Sequence, residues 1–235
     1  MITITTLGSS SAGNAYLVDD GETKLLLEAG LPYKEIQRGT GFRVSSLAGC
    51  LVSHAHGDHS KSVKDLIKAG VDVYSSAGTF QTLGIESHRA IAVQALQAFT
   101  IGTWRILPFD VQHDVEEPFG YLLVSKNGNK LLFATDSYFI KYRFSNITHL
   151  LIECNYSIKL LDENIANGSV PAVMRSRLLR SHFSLEHVKE FLRANDLSKV
   201  VEIHLLHLSD TNSDEELFKR EIQALTGKVV RIAQK

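Results

Sequence analysis

Three histidines and an aspartate fall within six positions at His54-Ala55-His56-Gly57-Asp58-His59, directly after the apolar run 49–53. Imidazole and carboxylate are the ligands that hold zinc and, less often, manganese or iron. His54 and His56 are two apart, so in extended backbone they project to the same side. Gly57 can turn the chain so that Asp58 and His59 face a second point. Three more candidates stand at the ends of later apolar runs: His113 after 106–111, Asp136 after 131–134, and His207 at the close of 200–206. Taken singly, these read as readily as a loop histidine, a turn aspartate and a satisfied core histidine. Beside the first motif they read as ligands. Two basic or polar segments could meet an anion. Arg175, Arg177 and Arg180 could bind phosphate, or face water as most charge runs do. The small-residue segment 8–14, with Ser10 and Asn14, could present backbone N–H groups at a site mouth.

These residues must be held by short elements. Strands are expected at 2–7, 15–18 and 24–28, the last two joined by the turn Asp19-Asp20-Gly21. A short helix is expected from Pro32 to Arg38, and a strand at 49–53 delivers the histidine motif. Residues 60–68 read as a helix with Ser60 as its cap, followed by a strand at 71–74 and a short helix at 79–83. Strands follow at 91–93, 103–107, 121–124 and 130–134, with Lys126-Asn-Gly-Asn129 as a turn, then a buried strand at 150–153. Residues 157–180 read as irregular. A helix is expected at 184–194 with Ser184 as its cap, a strand at 200–206, a last helix opened by the capping box Ser213-Asp-Glu-Glu216, and a strand at 228–232. With no linker, low-complexity tract or repeat in 235 residues, the reading is one α/β domain over 1–235, two packed sheets with helices outside.

Composition narrows the class. Hydrophobic residues are 44% and charged residues 22%, an ordinary globular balance that excludes a disordered chain or a rod. The formal net charge of −1 argues against binding nucleic acid through bulk positive charge. Cys50 and Cys154 lie in apolar runs, which favours two buried thiols in a reducing compartment over a disulfide. Without a secretory signal or a membrane-length apolar stretch, the expectation is a cytoplasmic protein with no membrane partner, in a bacterial or phage-infected cell.

The order H-x-H-x-D-H, lone His, Asp after an apolar strand and C-terminal His resembles the metallo-β-lactamase fold superfamily. The resemblance implies an αββα sandwich with two divalent metals, zinc foremost and manganese possible. By that resemblance, His54, His56 and His113 hold one metal, Asp58, His59 and His207 the other, and Asp136 bridges them. Where the family usually has Asp, this chain has Glu28, at a position that supports ligands without binding metal. Paired metals about 3.5–4 Å apart suit in-line phosphodiester hydrolysis.

His182, in Arg180-Ser-His182-Phe-Ser184, resembles the non-ligand histidine of the phosphodiesterase branch that includes ribonuclease Z. The resemblance implies that it stabilises the phosphate and protonates the leaving oxygen, which a near-neutral pKa suits. Asp58 and His182 are thus the expected catalytic pair, with Ser10, Asn14 and Arg180 as substrate contacts. His204 reads as structural, and His88, His149 and His187 as surface residues.

Two subgroups resemble the chain. Leu7-Gly-Ser-Ser-Ser-Ala-Gly-Asn14 and His207-Leu-Ser-Asp-Thr-Asn212 are similar to the YycJ/WalJ group of DNA exonucleases. Glu153-Cys-Asn-Tyr156 and Thr226-Gly-Lys-Val229 look more like phage anti-Pycsar proteins, which hydrolyse cyclic CMP, cyclic UMP, cAMP and cGMP to disarm host defence. The near-zero charge favours the small anionic nucleotide over a DNA track. Other readings are a thioester hydrolase of the glyoxalase II kind and a non-catalytic nucleotide sponge. The resemblance also implies a homodimer, with 157–180 near the partner's site.

Overall fold

The computed structural model describes residues 2–233; Met1, Gln234 and Lys235 lie outside the described residues. The fold is α/β, with two mixed sheets flanked by helices. The chain divides into two compact units, one of residues 2–110 and 115–129, the other of residues 111–114 and 130–233.

In the first unit six strands run in the order β1 (Thr3–Ser10), β2 (Gly13–Asp19), β3 (Lys24–Leu27), β4 (Gly49–Leu51), β5 (Val73–Ser75) and β6 (Ala90–Ala92). The first three pair antiparallel and the rest parallel. Side chains of Leu26, Cys50, Val52 and Val73 enter one core with Ile36, Val63 and Leu66 from helices α1 (Tyr33–Gly39) and α3 (Val63–Lys68). Strands buried on both faces read as continuous apolar runs, as β3 and β4 do. Three further strands, β7 (Phe99–Ile101), β8 (Trp104–Asp110) and β9 (Phe119–Val124), pair antiparallel. Helix α4 (Ala77–Leu83) is capped by Ser76 and ends on left-handed Gly84.

The second unit is built on four parallel strands in the order β13 (Val229–Ile232), β12 (Glu202–Leu206), β11 (His149–Glu153) and β10 (Lys130–Ala134). Parallel neighbours need crossovers, and helices supply them: α5 (Ile158–Ala166), α6 (Val173–Ser181) and α7 (Leu185–Ala194) lie between β11 and β12, and α8 (Glu215–Thr226) between β12 and β13. Ser184 caps α7 by accepting the His187 amide, as its sequence position predicts.

Several expectations are corrected. Residues 60–68 are not one helix: α2 (Gly57–Ser60) precedes α3, and the Ser60 hydroxyl donates back to the carbonyls of Ala55 and His56 instead of capping. Most of 8–14 belongs to β1 and β2, leaving a tight turn. Residues 157–180 are largely helical, because Leu161, Leu178 and Met174 pack with Tyr156 and Val170 into a small core of their own. The cap of α8 is Asp214, not Ser213, whose hydroxyl donates to the Ser209 carbonyl. His149 is buried in β11, not at the surface. Both cysteines are buried and free. Among the described residues no helix is long and apolar enough to cross a membrane.

Candidate metal centre

In the first unit the histidine motif leaves the end of β4 and is cradled by the end of β3. The Ala29 amide donates to the His59 carbonyl at 2.8 Å, and the Ser62 amide to the Ala29 carbonyl at 2.8 Å. A Cβ at Gly30 would lie 1.6 Å from the Asp58 carbonyl oxygen, so only glycine permits this approach. His54 Nε2 and His56 Nδ1 point at one another at 3.1 Å, and the His54 and His59 rings lie 4.3 Å apart. Asp58 Oδ2 is 3.2 Å from His59 Nε2.

His54, His59 and Asp58 are held from behind. His54 Nδ1 meets the Ser53 hydroxyl at 2.8 Å, and the Ser53 amide donates to Glu28 at 3.1 Å. His59 Nδ1 faces the other Glu28 oxygen at 3.4 Å. Glu28 is fully buried with φ of 66°; burial holds its carboxyl above the usual range, against the pull of His59 and Ser53. Asn14 donates to the Asp58 carbonyl at 3.2 Å and lies 3.3 Å from His59 Nε2, while its own oxygen accepts from Tyr16. Ser10, by contrast, accepts the Ala12 amide within its own turn.

In the second unit four side chains, Asp136, Glu153, His182 and His207, bring ligand atoms within 4.8 Å of one another. Asp136 follows β10 at φ of 40°, and His207 follows β12 at φ of 53°. Non-glycine residues at such angles are costly and gather at functional sites. His207 Nδ1 lies 2.8 Å from Asp136 Oδ1 and 3.4 Å from Glu153 Oε1. Burial pulls the His207 pKa down, but the two carboxylates outweigh it and push the ring to about 10. A metal would therefore have to displace a proton there. His113 Nδ1 donates to the Ser181 carbonyl, 2.9 Å away, and Nε2 lies 3.8 Å from Asp136. A carbonyl only accepts, so Nδ1 carries the proton and Nε2 keeps its lone pair. Burial lowers the His113 pKa, which favours that neutral ring.

His182 sits in extended backbone just past α6, its Nδ1 2.5 Å from Glu153 Oε1. Burial alone would lower its pKa, yet the Glu153 and Asp136 charges raise it. The second Glu153 oxygen accepts the amides of Ser137 and Phe183, both at 3.0 Å. Sequence reasoning missed Glu153 as a site residue. Its pattern, a carboxylate closing the apolar run Leu150-Leu-Ile-Glu153, is the one that marks Glu28 in Leu25-Leu-Leu-Glu28. Arg180 is exposed in the last turn of α6, and Arg175 is paired with Asp162 of α5 at 2.7 Å.

The donor chemistry of both sets fits divalent metal. They combine imidazoles with carboxylates, and the Nδ1 atoms of His54, His59 and His113 face second partners that leave Nε2 outward.

Comparison with known proteins gives a family and a fold. The model of the β-lactamase superfamily domain matches residues 23–205. The exodeoxyribonuclease WalJ of Streptococcus pneumoniae is 28% identical over 228 residues, covering 90% of this chain and 83% of WalJ. The exodeoxyribonuclease YycJ of Bacillus anthracis is 26% identical over 231 residues, covering 92% and 86%. Among solved structures, the metallo-β-lactamase fold protein YhfI of Bacillus subtilis matches with a TM-score of 0.74 at 18% identity, covering 100% of this chain and 97% of YhfI.

Proposed function

The chain belongs to the β-lactamase superfamily, and on that premise we propose that it hydrolyses a phosphodiester of nucleotides with two divalent metals, releasing nucleotide from DNA ends. The observation that carries this reading is the relation to WalJ and YycJ along nine-tenths of the chain. His54, His56 and His113 would hold one metal, Asp58, His59 and His207 the other, and Asp136 would be shared. Zinc suits this donor set best, and manganese is accepted by the same ligands. When bound, the metals supply Lewis acidity and lower the pKa of water.

The chain's own residues do the rest. Glu28 and Ser53 keep Nε2 of His59 and His54 outward, and the Ser181 carbonyl does the same for His113. The Asn14 amide nitrogen reaches Asp58 Oδ2 at 3.4 Å and His59 Nε2 at 3.3 Å, which ties one carboxylate oxygen to the neighbouring ring. Glu153 anchors Nδ1 of His182, so that Nε2 can deliver a proton to the leaving oxygen.

A second reading, a cyclic mononucleotide phosphodiesterase acting in counter-defence, is favoured by the net charge of −1, which gives little purchase on a DNA track. Metal-loaded protein offered single- and double-stranded DNA beside cyclic CMP, cyclic UMP, cAMP and cGMP separates the two. Nucleoside monophosphates from DNA, with cyclic nucleotides intact, support the first; the reverse supports the second. Turnover of a glutathione thioester alone would defeat both.

A further inference from the structure

Between Ser137 and Asn195 the second unit contains a cavity of about 440 Å³ that neither the metal ligands nor His182 line. Its volume falls within the range of small-molecule sites. One wall is the irregular strap 138–143, which runs from Asp136 to the start of β11. The other is α7, which follows directly on His182. The strap is fixed at both ends. The Ser137 hydroxyl donates to the Phe139 carbonyl at 2.9 Å and accepts the Gln112 amide, and the Phe144 amide donates to Asn195 at 2.7 Å.

The chemistry of the walls is specific. Tyr138, Phe139 and Tyr142 come from the strap, and Phe183 and Phe191 from the α7 side. Phe139 is 55% exposed, a large apolar ring kept in water. Lys141 stands over the Tyr142 ring at 5.0 Å, and Arg143 is exposed beside it. His187 and Glu190, three apart on α7, add polar groups on the same face. Aromatic faces beside cations are the combination that stacks a base and draws its phosphate. Glu190 would repel phosphate, so it suits the hydrogen-bond donors of a base edge.

We propose that this cavity is a nucleobase subsite, holding one base of the substrate by stacking on Phe139 and Tyr142 with Lys141 and Arg143 toward the phosphate. The assignment rests on the nucleotide phosphodiesterase reading above. Chain continuity supports it: each wall joins a candidate site residue within two positions, Tyr138 through Ser137 to Asp136, and Phe183 directly to His182. A base held there would position its own phosphodiester by a short backbone link instead of a long arm.

Calorimetric titration of the whole metal-free protein with dAMP and with deoxyribose 5-phosphate tests the subsite apart from catalysis. The expected result is dAMP binding at least tenfold tighter than the base-free sugar phosphate. Phe139→Ala and Tyr142→Ala should each reduce that ratio several-fold. Equal affinity for the two ligands, or variants that weaken both equally, would overturn the subsite. If dAMP is preferred while no phosphodiester is turned over by metal-loaded protein, the subsite stands and the proposed activity falls. In active protein the ratio of kcat/KM for a dinucleotide to that for bis(p-nitrophenyl) phosphate should drop about tenfold in Phe139→Ala, and an unchanged ratio would count against the proposal.

Discussion

The hydrogen bonds behind the candidate ligands decide how well any metal is held. Glu153 is the sharpest case, since one carboxylate orients His182 and takes two backbone amides. Glu153→Gln should lower kcat about 10- to 100-fold while KM changes little, because groups behind a working side chain have effects of that size. Steady-state kinetics with metal content measured on the same samples checks this, and a loss of metal matching the loss of rate would assign Glu153 to metal retention instead. Gly30→Ala should destabilise the protein by about 1–3 kcal/mol or more, through overpacking against the Asp58 carbonyl. Urea unfolding reads that loss. The histidine motif was legible because its ligands are contiguous. Glu153 was not, because in sequence it is one polar residue ending a buried strand, and only the fold sets it beside His182.

Among the elements, the strands were the easiest to anticipate. The parallel ones are continuous apolar runs, and the capping serine of α7 stands where its helix begins. Helices α5 and α6 were missed because Gly168 and Pro171 interrupt the segment, and α6 leaves most of its face in water, burying only Ser181 fully. The buried pair His149 and His204, on neighbouring strands, gives an element-scale test. Burial lowers both pKa values below 6.5, despite the Glu202 carboxylate 3.2 Å from His204. The folded state then stays neutral at pH values where the unfolded chain takes up protons. Their contribution to stability is therefore intact above the unfolded value of about 6.5 and falls as pH drops below it. Between pH 7 and 5 the thermal midpoint of wild type should fall more steeply than that of the double variant His149→Gln, His204→Gln. Parallel curves would contradict the burial argument.

At the scale of the whole molecule, metal should stabilise the fold, since anything that binds only the native state does so. Zinc-loaded protein should melt higher than protein stripped with a chelator, and coincident melts would speak against a resident metal. The homodimer expected from the resemblance, with the segment that forms α5 and α6 at the partner's site, is tested by mass in solution. Light scattering at working concentration should give twice the 26.1 kDa chain mass, and a monomer would remove that arrangement. Fold class could be read from the order of apolar runs and the ligand motif together. The choice between a DNA end and a cyclic nucleotide could not, because the residues proposed to contact a base are scattered over a strap and a helix with no shared motif.

The activity proposed for the chain is metal-dependent phosphodiester hydrolysis. Its most direct measurement is product analysis by mass spectrometry after metal-loaded protein meets a short single-stranded DNA, with Asp58→Ala run beside it. Wild type should yield nucleoside monophosphates, and the variant or chelator-treated protein none. Intact DNA and intact cyclic mononucleotides in the presence of folded, metal-loaded protein would contradict that activity.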